Sequence, residues 1–179
     1  MIASIMQPTF IPWSGYFNLI SKSDSFIFLD DVEYSKGSWH NRNFLYINEE
    51  PVRITLPVKK TSNKTLLNEV LINYKELNIR KIKFLFHQNF KNSKYFYLAE
   101  ELINDLHEKK FYKLSDLNIH WIKKLSEVLK LKCNFFISSE LEIISENRIN
   151  RISKLLTKIK ASHYLTVYGS KNYMELDNY

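Results

Sequence analysis

The first thirty residues alternate between short apolar runs and one stretch of helical spacing. Ile2 to Met6 is apolar and stops at Gln7, which predicts a buried strand that ends in a turn. Trp13 to Ser21 carries its large apolar side chains at helical spacing. Ser25 to Leu29 predicts a second buried strand, which terminates at Asp30. The chain should therefore begin with a compact strand-helix-strand unit.

Two β-rich runs follow. Trp39 to Ile47 and Val52 to Val58 are joined by a short polar segment that is typical of a hairpin connection. If the first of these strands began at Trp39, then Trp39, Asn41 and Asn43 would share one face, while His40 and Arg42 would share the other.

The remainder of the chain is predominantly helical in pattern. Apolar residues recur every three or four positions in four segments: Ile79, Ile82, Phe86 and Phe90; Leu98, Leu102 and Leu106; Leu117, Trp121, Leu125 and Leu129; Ile149, Ile152, Leu155, Leu156 and Ile159. Short strands are predicted at Val70 to Ile72, Asn134 to Ile137 and Tyr164 to Val167. The expected fold is α/β, with a mixed sheet and a helix-rich C-terminal two thirds, in a single domain over residues 1–179.

Composition narrows the class of protein. With 179 residues and 45% hydrophobic residues, the chain can bury a core, and no apolar run approaches the roughly 20 residues of a membrane-spanning helix. No secretory signal is recognisable, and a lone Cys133 forms no internal disulfide, so a cytoplasmic location is expected. The glycines, Gly15, Gly37 and Gly169, are too dispersed to build a glycine-rich phosphate loop.

The formal net charge of +7 is spread along the chain rather than concentrated in a tail. Such a surface could attract a nucleotide-sugar, an acidic carrier protein, nucleic acid or an anionic membrane face, or it could simply be a solvated surface. Nucleic-acid binding lacks a recognised motif or a clustered basic stripe. No zinc-binding cysteine pairs or His-Glu-x-x-His motif are present, and no metal site is predicted.

Polar and aromatic residues are densest between Asp30 and Asn43. Asp30 and Asp31 follow a predicted strand, where open α/β sheets place their ligand crevice, and adjacent carboxylates suit a general base or a metal ligand. The alternative is a surface turn in which the carboxylates cap backbone N–H groups. Downstream, the cations and amides suit phosphate or carboxylate recognition; they are Lys36, Asn41, Arg42 and Asn43.

A second group of candidates lies at the first strand-to-helix turn. Gln7 can donate and accept hydrogen bonds to a sugar or an amide, and Tyr16 belongs to an aromatic set, with Phe10 and Trp13, that suits a sugar ring or a core. His87 shares a helix stripe with cations and is a candidate neutral base, or part of a solvated basic face.

An ordered series of strings resembles the WbqC-like family of bacterial surface-polysaccharide gene clusters. The strings are Met6-Gln7-Pro8, Pro12, Gly15-Tyr16-Phe17, Asp24-Ser25-Phe26, Asp30-Asp31-Val32, Lys36, Trp39, Asn41-Arg42-Asn43 and Leu56-Pro57-Val58, with weaker similarity at His87, Ser138-Ser139-Glu140-Leu141, Tyr164-Leu165, Gly169 and Tyr173. Family members continue beyond Tyr179 with another aromatic-rich stretch, so a short or truncated member is expected. His40 stands where the family has a non-titrating residue.

The resemblance implies work on precursors of O-antigen, the glycan of lipopolysaccharide, or of a similar glycan. We hypothesise a transferase that moves an acyl or aminoacyl group from an acyl-CoA or a carrier protein onto a nucleotide-linked amino sugar. Asp30, Asp31 or His87 would be the base, Lys36 and Arg42 would hold diphosphate, and Gln7 and Trp39 would orient the sugar. These residues are predicted to border one cleft. The alternative is a non-catalytic binding or scaffold protein of the same pathway.

Overall fold

The apolar run Ile2–Met6 forms the first strand, β1, and helix α1 (Ser14–Ser21) connects it to strand β2 (Ser25–Phe28). The two strands pair in parallel, with Met6 opposite Phe28. The predicted strand-helix-strand unit is confirmed. The structure is a computed structural model, and it describes residues 1–145 and 147–167.

Two later segments complete a parallel sheet around this unit. Strand β5 (Asn134–Ile137) pairs with β2, and strand β6 (His163–Tyr164) pairs with β1, which gives the order β5-β2-β1-β6. The prediction for β5 is confirmed. The final strand is shorter than the predicted Tyr164 to Val167, because only His163 and Tyr164 are in register with β1.

Both faces of this sheet are buried, as expected for parallel strands. On one face, Ile27 packs in a cluster with Leu155 and Leu156 of helix α5 (Arg148–Lys158). The other face carries aromatic rings, since Phe26 lies 5.4 Å from the ring of Tyr16 and 5.2 Å from that of Phe28. Because successive strand residues point to opposite faces, the run of apolar residues fills both sides of the sheet.

A separate antiparallel hairpin consists of strands β3 (Arg42–Ile47) and β4 (Glu50–Thr55). The two connecting residues, Asn48 and Glu49, have φ angles of 51° and 66°, and this left-handed pair gives the turn the twist that a two-residue hairpin needs. The predicted hairpin is confirmed, but its strands begin elsewhere.

The prediction that the first hairpin strand starts at Trp39 is wrong. Trp39 and His40 lie in a turn, and β3 begins at Arg42. Gly37, with a φ of +80°, reverses the chain just before this point. Therefore the alternation of faces inferred for Trp39, His40 and Asn41 does not apply.

Helices occupy most of the later chain, as predicted. They are α2 (Ile79–Phe90), α3 (Phe96–Glu108), α4 (Leu114–Val128) and α5, with short 3₁₀ helices at Leu67–Glu69 and Ser138–Leu141. The strand predicted at Val70 to Ile72 is reduced to isolated bridges, in which Leu71 pairs with Lys113 and Ile72 with Val58. The fold class, α/β with a helix-rich later part, is confirmed.

The chain divides into two compact units. Among the described residues, the sheet unit comprises residues 1–8, 12–31, 123–145 and 147–167, and the hairpin unit comprises residues 9–11 and 32–122. In the hairpin unit, the fully buried Phe10 stacks on Trp121 at 5.4 Å, and Trp121 also contacts Phe86. Over the described residues, none of the helices has the length and apolar character to cross a membrane.

Candidate functional site

The carboxyl ends of three neighbouring parallel strands bring polar residues to one edge of the sheet unit. Gln7 follows β1, Asp30 and Asp31 follow β2, and Ser138 follows β5 directly. This edge is where ligands bind in open α/β sheets. We call the set Asp30, Asp31, Ser138, Ser139 and Arg151 the acidic corner.

Asp30 is held tightly within the acidic corner. Its side chain accepts hydrogen bonds from the Ser139 backbone N–H at 3.0 Å, from the Ser139 hydroxyl at 2.7 Å and from the Ser138 hydroxyl at 3.0 Å. The residue is only 3% exposed. The carboxylate is thus buried but well supplied with donors, as a buried charge requires.

Asp31 is more accessible than Asp30. Its carboxylate forms an ion pair with Arg151, accepts a hydrogen bond from the Ser138 hydroxyl, and keeps a side chain that is 20% exposed. The Arg151 guanidinium also donates a hydrogen bond to the Asp31 backbone carbonyl at 3.2 Å. Because Arg151 lies on α5, this helix holds both the side chain and the backbone of Asp31. Of the two predicted carboxylates, Asp31 is the one that a ligand can reach.

The first turn presents Gln7 but not Tyr16. Gln7 is half-buried, whereas Tyr16 is fully buried and its hydroxyl donates to the Gln7 backbone carbonyl at 3.2 Å. Trp13 is exposed, and its indole lies directly over Gly15, where a Cβ would collide with it. The ring of Tyr16 therefore packs in the core and supports the Gln7 turn, and Trp13 is the aromatic side chain left open to a ligand.

In the hairpin unit, the two predicted amides serve the backbone. The Asn43 side chain donates to the Phe10 carbonyl at 3.1 Å and to the Ile11 carbonyl, and accepts from the Phe44 N–H at 2.7 Å. Asn41 is buried and donates to the Leu56 carbonyl at 2.9 Å. These contacts fix the course of the chain around them, so Asn41 and Asn43 act as positioning residues.

The cations and the tryptophan of the same segment face outward. Lys36 is exposed, Trp39 is 53% exposed, and Arg42 is half-buried. The Arg42 guanidinium lies over Gly37, at 3.0 Å from where a Cβ would stand. Glycine at this position therefore provides both the positive φ and the room for the guanidinium. We call residues 36–43 the recognition loop.

His40 is buried beside Tyr34, with ring centroids 5.8 Å apart. Burial lowers the pKa of His40 to about 4, so the imidazole is neutral near pH 7. Burial also raises the pKa of Tyr34, which the positive charge of Arg42 partly opposes. His40 is thus a buried packing group within the recognition loop.

His87 lies on α2 in the hairpin unit and is exposed. Its ring meets that of Phe96 edge to face at 5.5 Å, beside a cavity of about 270 Å³ between α2 and α3. Lys83 and Glu100 also line this cavity. His87 is available to a ligand there, and it belongs to a different unit from Asp30 and Asp31.

The comparisons with known proteins match this chain to one family. The family model of the WbqC-like protein family matches residues 7–179. This chain belongs to the WbqC-like family. An uncharacterized protein of Mycobacterium tuberculosis, Rv1507c, is 27% identical over 177 residues, which cover 96% of this chain and 74% of that protein. No solved structure matches the chain.

Three residues of the acidic corner were not predicted as site residues in this WbqC-like chain. Ser138 and Ser139 belong to the strings that resemble the family but were not predicted to contact Asp30, and no sequence feature pointed to Arg151 as the partner of Asp31. The sequence feature that could have indicated Ser138 and Ser139 is their position directly after a predicted strand. The pairing of β5 with β2, which brings them to Asp30, is not visible in the local pattern.

Cys133 is half-buried and immediately precedes β5. Partial burial, assisted by the Asp24 carboxylate, raises the pKa of Cys133 to about 11. The thiol therefore stays protonated at neutral pH, which makes it a poor nucleophile. Across residues 1–145 and 147–167, no group of three or more His, Cys, Asp or Glu residues is arranged to hold a metal ion. Gly169 and Tyr173 lie outside the described residues.

Proposed function

We propose that this WbqC-like chain is a transferase that modifies a sugar nucleotide in the biosynthesis of a bacterial surface polysaccharide such as O-antigen. The observation that carries this proposal is the recognition loop, in which Arg42 is positioned over Gly37 while Lys36 and Trp39 are exposed. Guanidinium and ammonium groups suit a diphosphate, and an exposed indole suits a sugar ring. Family membership supports the polysaccharide context.

The reaction is acyl or aminoacyl transfer onto an amino sugar. The sugar amine attacks the carbonyl carbon of a thioester donor, a C–N bond forms, the C–S bond breaks, and the thiol leaves after taking up a proton. The amine must lose a proton to a base during this attack. We assign that role to Asp31, because its carboxylate is accessible, while Asp30 holds Ser138 and Ser139 in place.

The donor is a thioester of coenzyme A or of a carrier protein. Acidic carriers and the phosphates of coenzyme A are both anionic, and the chain carries a net charge of +7, so its surface favours the encounter with either. Gln7, beside the acidic corner, orients the sugar through its amide, which can donate and accept hydrogen bonds.

A second candidate function is a non-catalytic binding or scaffold protein of the same pathway. The contacts of the acidic corner favour it, since Asp30 already accepts three hydrogen bonds and Asp31 is paired with Arg151. A carboxylate that is fully occupied stabilises structure or recognises a ligand without exchanging protons. Under this alternative, the recognition loop binds the same sugar nucleotide.

A reconstituted transfer assay separates the two functions. The purified chain is incubated with amino-sugar nucleotides and acyl-CoA or acyl-carrier donors, and amide formation is followed by mass spectrometry. Asp31→Asn keeps size and acceptor capacity but not basicity, so turnover should fall about 10²–10⁴-fold with little change in ligand affinity. The matched variant Asp30→Asn tests the neighbouring carboxylate, and His87→Gln tests the other candidate base.

Each outcome of this assay has a definite meaning. Near-normal turnover in Asp31→Asn combined with a loss in His87→Gln would transfer the base role to His87. If the unmutated chain binds the sugar nucleotide but forms no amide with either donor class, the scaffold alternative replaces the transferase. If it neither binds nor turns over, both proposals fail.

A further inference from the structure

The hairpin unit contains a second cavity, which shares no residue with the recognition loop or with the acidic corner. It has a volume of about 450 Å³, within the size range of small-molecule sites. It is lined by β4, by the chain leading to α2 and by the first two turns of α2; the lining residues are Arg53, Ile54, Thr55, Pro57, Glu76, Leu77, Asn78, Lys81, Ile82 and Leu85.

One part of this cavity is cationic. Arg53 on β4 and Lys81 on α2 are both exposed, and within the described residues neither side chain has a hydrogen bond or an ion pair. Glu76 is the single carboxylate of the lining. The lining therefore carries an excess of positive charge that the protein itself does not neutralise.

The start of α2 strengthens this field. The helix N-terminus is the positive end of the macrodipole, where acidic residues are favoured, yet its first turn contains Arg80 and Lys81 and no acidic residue. Asn78 caps the helix by accepting a hydrogen bond from the Lys81 N–H at 2.9 Å. Cations at this end are electrostatically unfavourable in the free protein, and a bound anion would offset that cost.

Five of the lining residues are apolar. Ile54, Ile82 and Leu85 are buried, and Pro57 and Leu77 complete the apolar part of the lining. Pro57 and Leu77 are half-buried and keep apolar surface open to the cavity. An inorganic anion would leave that surface in water, whereas a short alkyl or ring system would cover it. The cavity thus combines an anion-binding end with a hydrophobic floor.

We propose that this cavity binds an amphipathic organic anion, with a carboxylate or phosphate head at Arg53 and Lys81 and an apolar body on Pro57 and Leu77. Glu76 accepts a hydrogen bond from a hydroxyl or ammonium group of the natural ligand. The site is additional to the sugar-nucleotide site of the proposed function, and its test does not depend on turnover.

Calorimetric titration of the whole chain in low salt tests the proposal with four probes. Hexyl phosphate and hexanoate each combine an anionic head with an apolar chain. Inorganic phosphate has the anionic head alone, and hexyl glucoside has the apolar chain without an anionic head. At least one of the two amphipathic anions should bind at least tenfold more tightly than either partial probe. The stronger of the two identifies the head group as phosphate or carboxylate. Equal affinities for hexyl phosphate and inorganic phosphate would overturn the proposal, as would no binding of either amphipathic anion.

Charge variants locate the binding. Lys81→Gln and Arg53→Gln should each weaken binding of the preferred amphipathic anion about tenfold, the loss expected for one charge-assisted hydrogen bond. Lys91→Gln, an exposed lysine at the opposite end of the same helix, makes the same charge change and should leave affinity unchanged. Glu76→Gln should tighten binding of these probes, because it removes a negative charge from the lining. An equal loss in Lys91→Gln would show non-specific attraction and reject the site.

Discussion

The acidic corner of the sheet unit and the recognition loop of the hairpin unit use charge in opposite ways. Asp30 and Asp31 are satisfied by the protein, through Ser138, Ser139 and Arg151. In the recognition loop, the side-chain NH₂ groups of Asn41 and Asn43 donate to backbone carbonyls, while Lys36 and Trp39 are left to solvent. The carboxylates are thus built into the fold and the cations are presented to a ligand. Substitution of the buried Asp30 should therefore lower stability, and substitution of the exposed Lys36 or Trp39 should weaken binding.

Removing the buried carboxylate of the acidic corner should have the largest effect on stability. Asp30→Ala leaves the backbone N–H and the hydroxyl of Ser139 without their acceptor, so the free energy of unfolding should fall by about 3 kcal/mol. Chemical denaturation followed by circular dichroism measures this. Lys36→Ala, an exposed residue of the recognition loop, is the control and should unfold like the unmutated chain. A loss in Asp30→Ala no larger than in the control would remove the proposed difference between the two regions.

The buried histidine of the recognition loop should make stability depend on pH. The pKa of His40 is about 4 in the folded chain and about 6.5 when unfolded, so the unfolded chain binds more protons between these values. The stabilisation is complete above pH 6.5 and is lost as pH falls toward 4, by up to about 3 kcal/mol. Denaturation series at pH 4.5, 5.5 and 7 should show a steeper loss for the unmutated chain than for His40→Gln. Parallel losses in both proteins would contradict the assignment.

Gly37 offers a smaller and more local test. Gly37→Ala places a Cβ at a φ of +80° and 3.0 Å from the Arg42 guanidinium, so it should cost about 1–2 kcal/mol of unfolding free energy. Ser35→Ala, an exposed neighbour, should cost nothing measurable. Displacement of Arg42 should also weaken sugar-nucleotide binding in Gly37→Ala alone. Normal stability together with normal affinity would show that the guanidinium does not depend on Gly37.

The acidic corner and the recognition loop also differ in how much of their structure can be predicted from the sequence. Around Asp30, an apolar run bounded by polar residues predicts β2 and the place of the carboxylates at its end. The partners of those carboxylates come from residues more than 100 positions away, and only the strand order brings them together. Local periodicity carries no information on which strands pair.

In the recognition loop, the polar residue types predict ligand binding, but some of these polar side chains form hydrogen bonds to the protein backbone instead. Asn43 is as polar as Arg42, yet its amide is used by Phe10 and Ile11, from a segment some thirty residues earlier. The strand β3 begins later than predicted because Trp39 and His40 lie in a turn, which follows the chain reversal at Gly37 with its positive φ. The sequence therefore indicates where polar residues cluster, and tertiary contacts decide which of them remain available.

The central claim is that the recognition loop binds a sugar nucleotide through Arg42. The most direct measurement is calorimetric titration of UDP-linked amino sugars into the unmutated chain and into Arg42→Ala, in low salt, with Lys132→Ala as a control for net charge. We expect the unmutated chain and the control to bind, and Arg42→Ala to bind about tenfold more weakly. Equal affinity in all three proteins, or no binding by the unmutated chain, would contradict it.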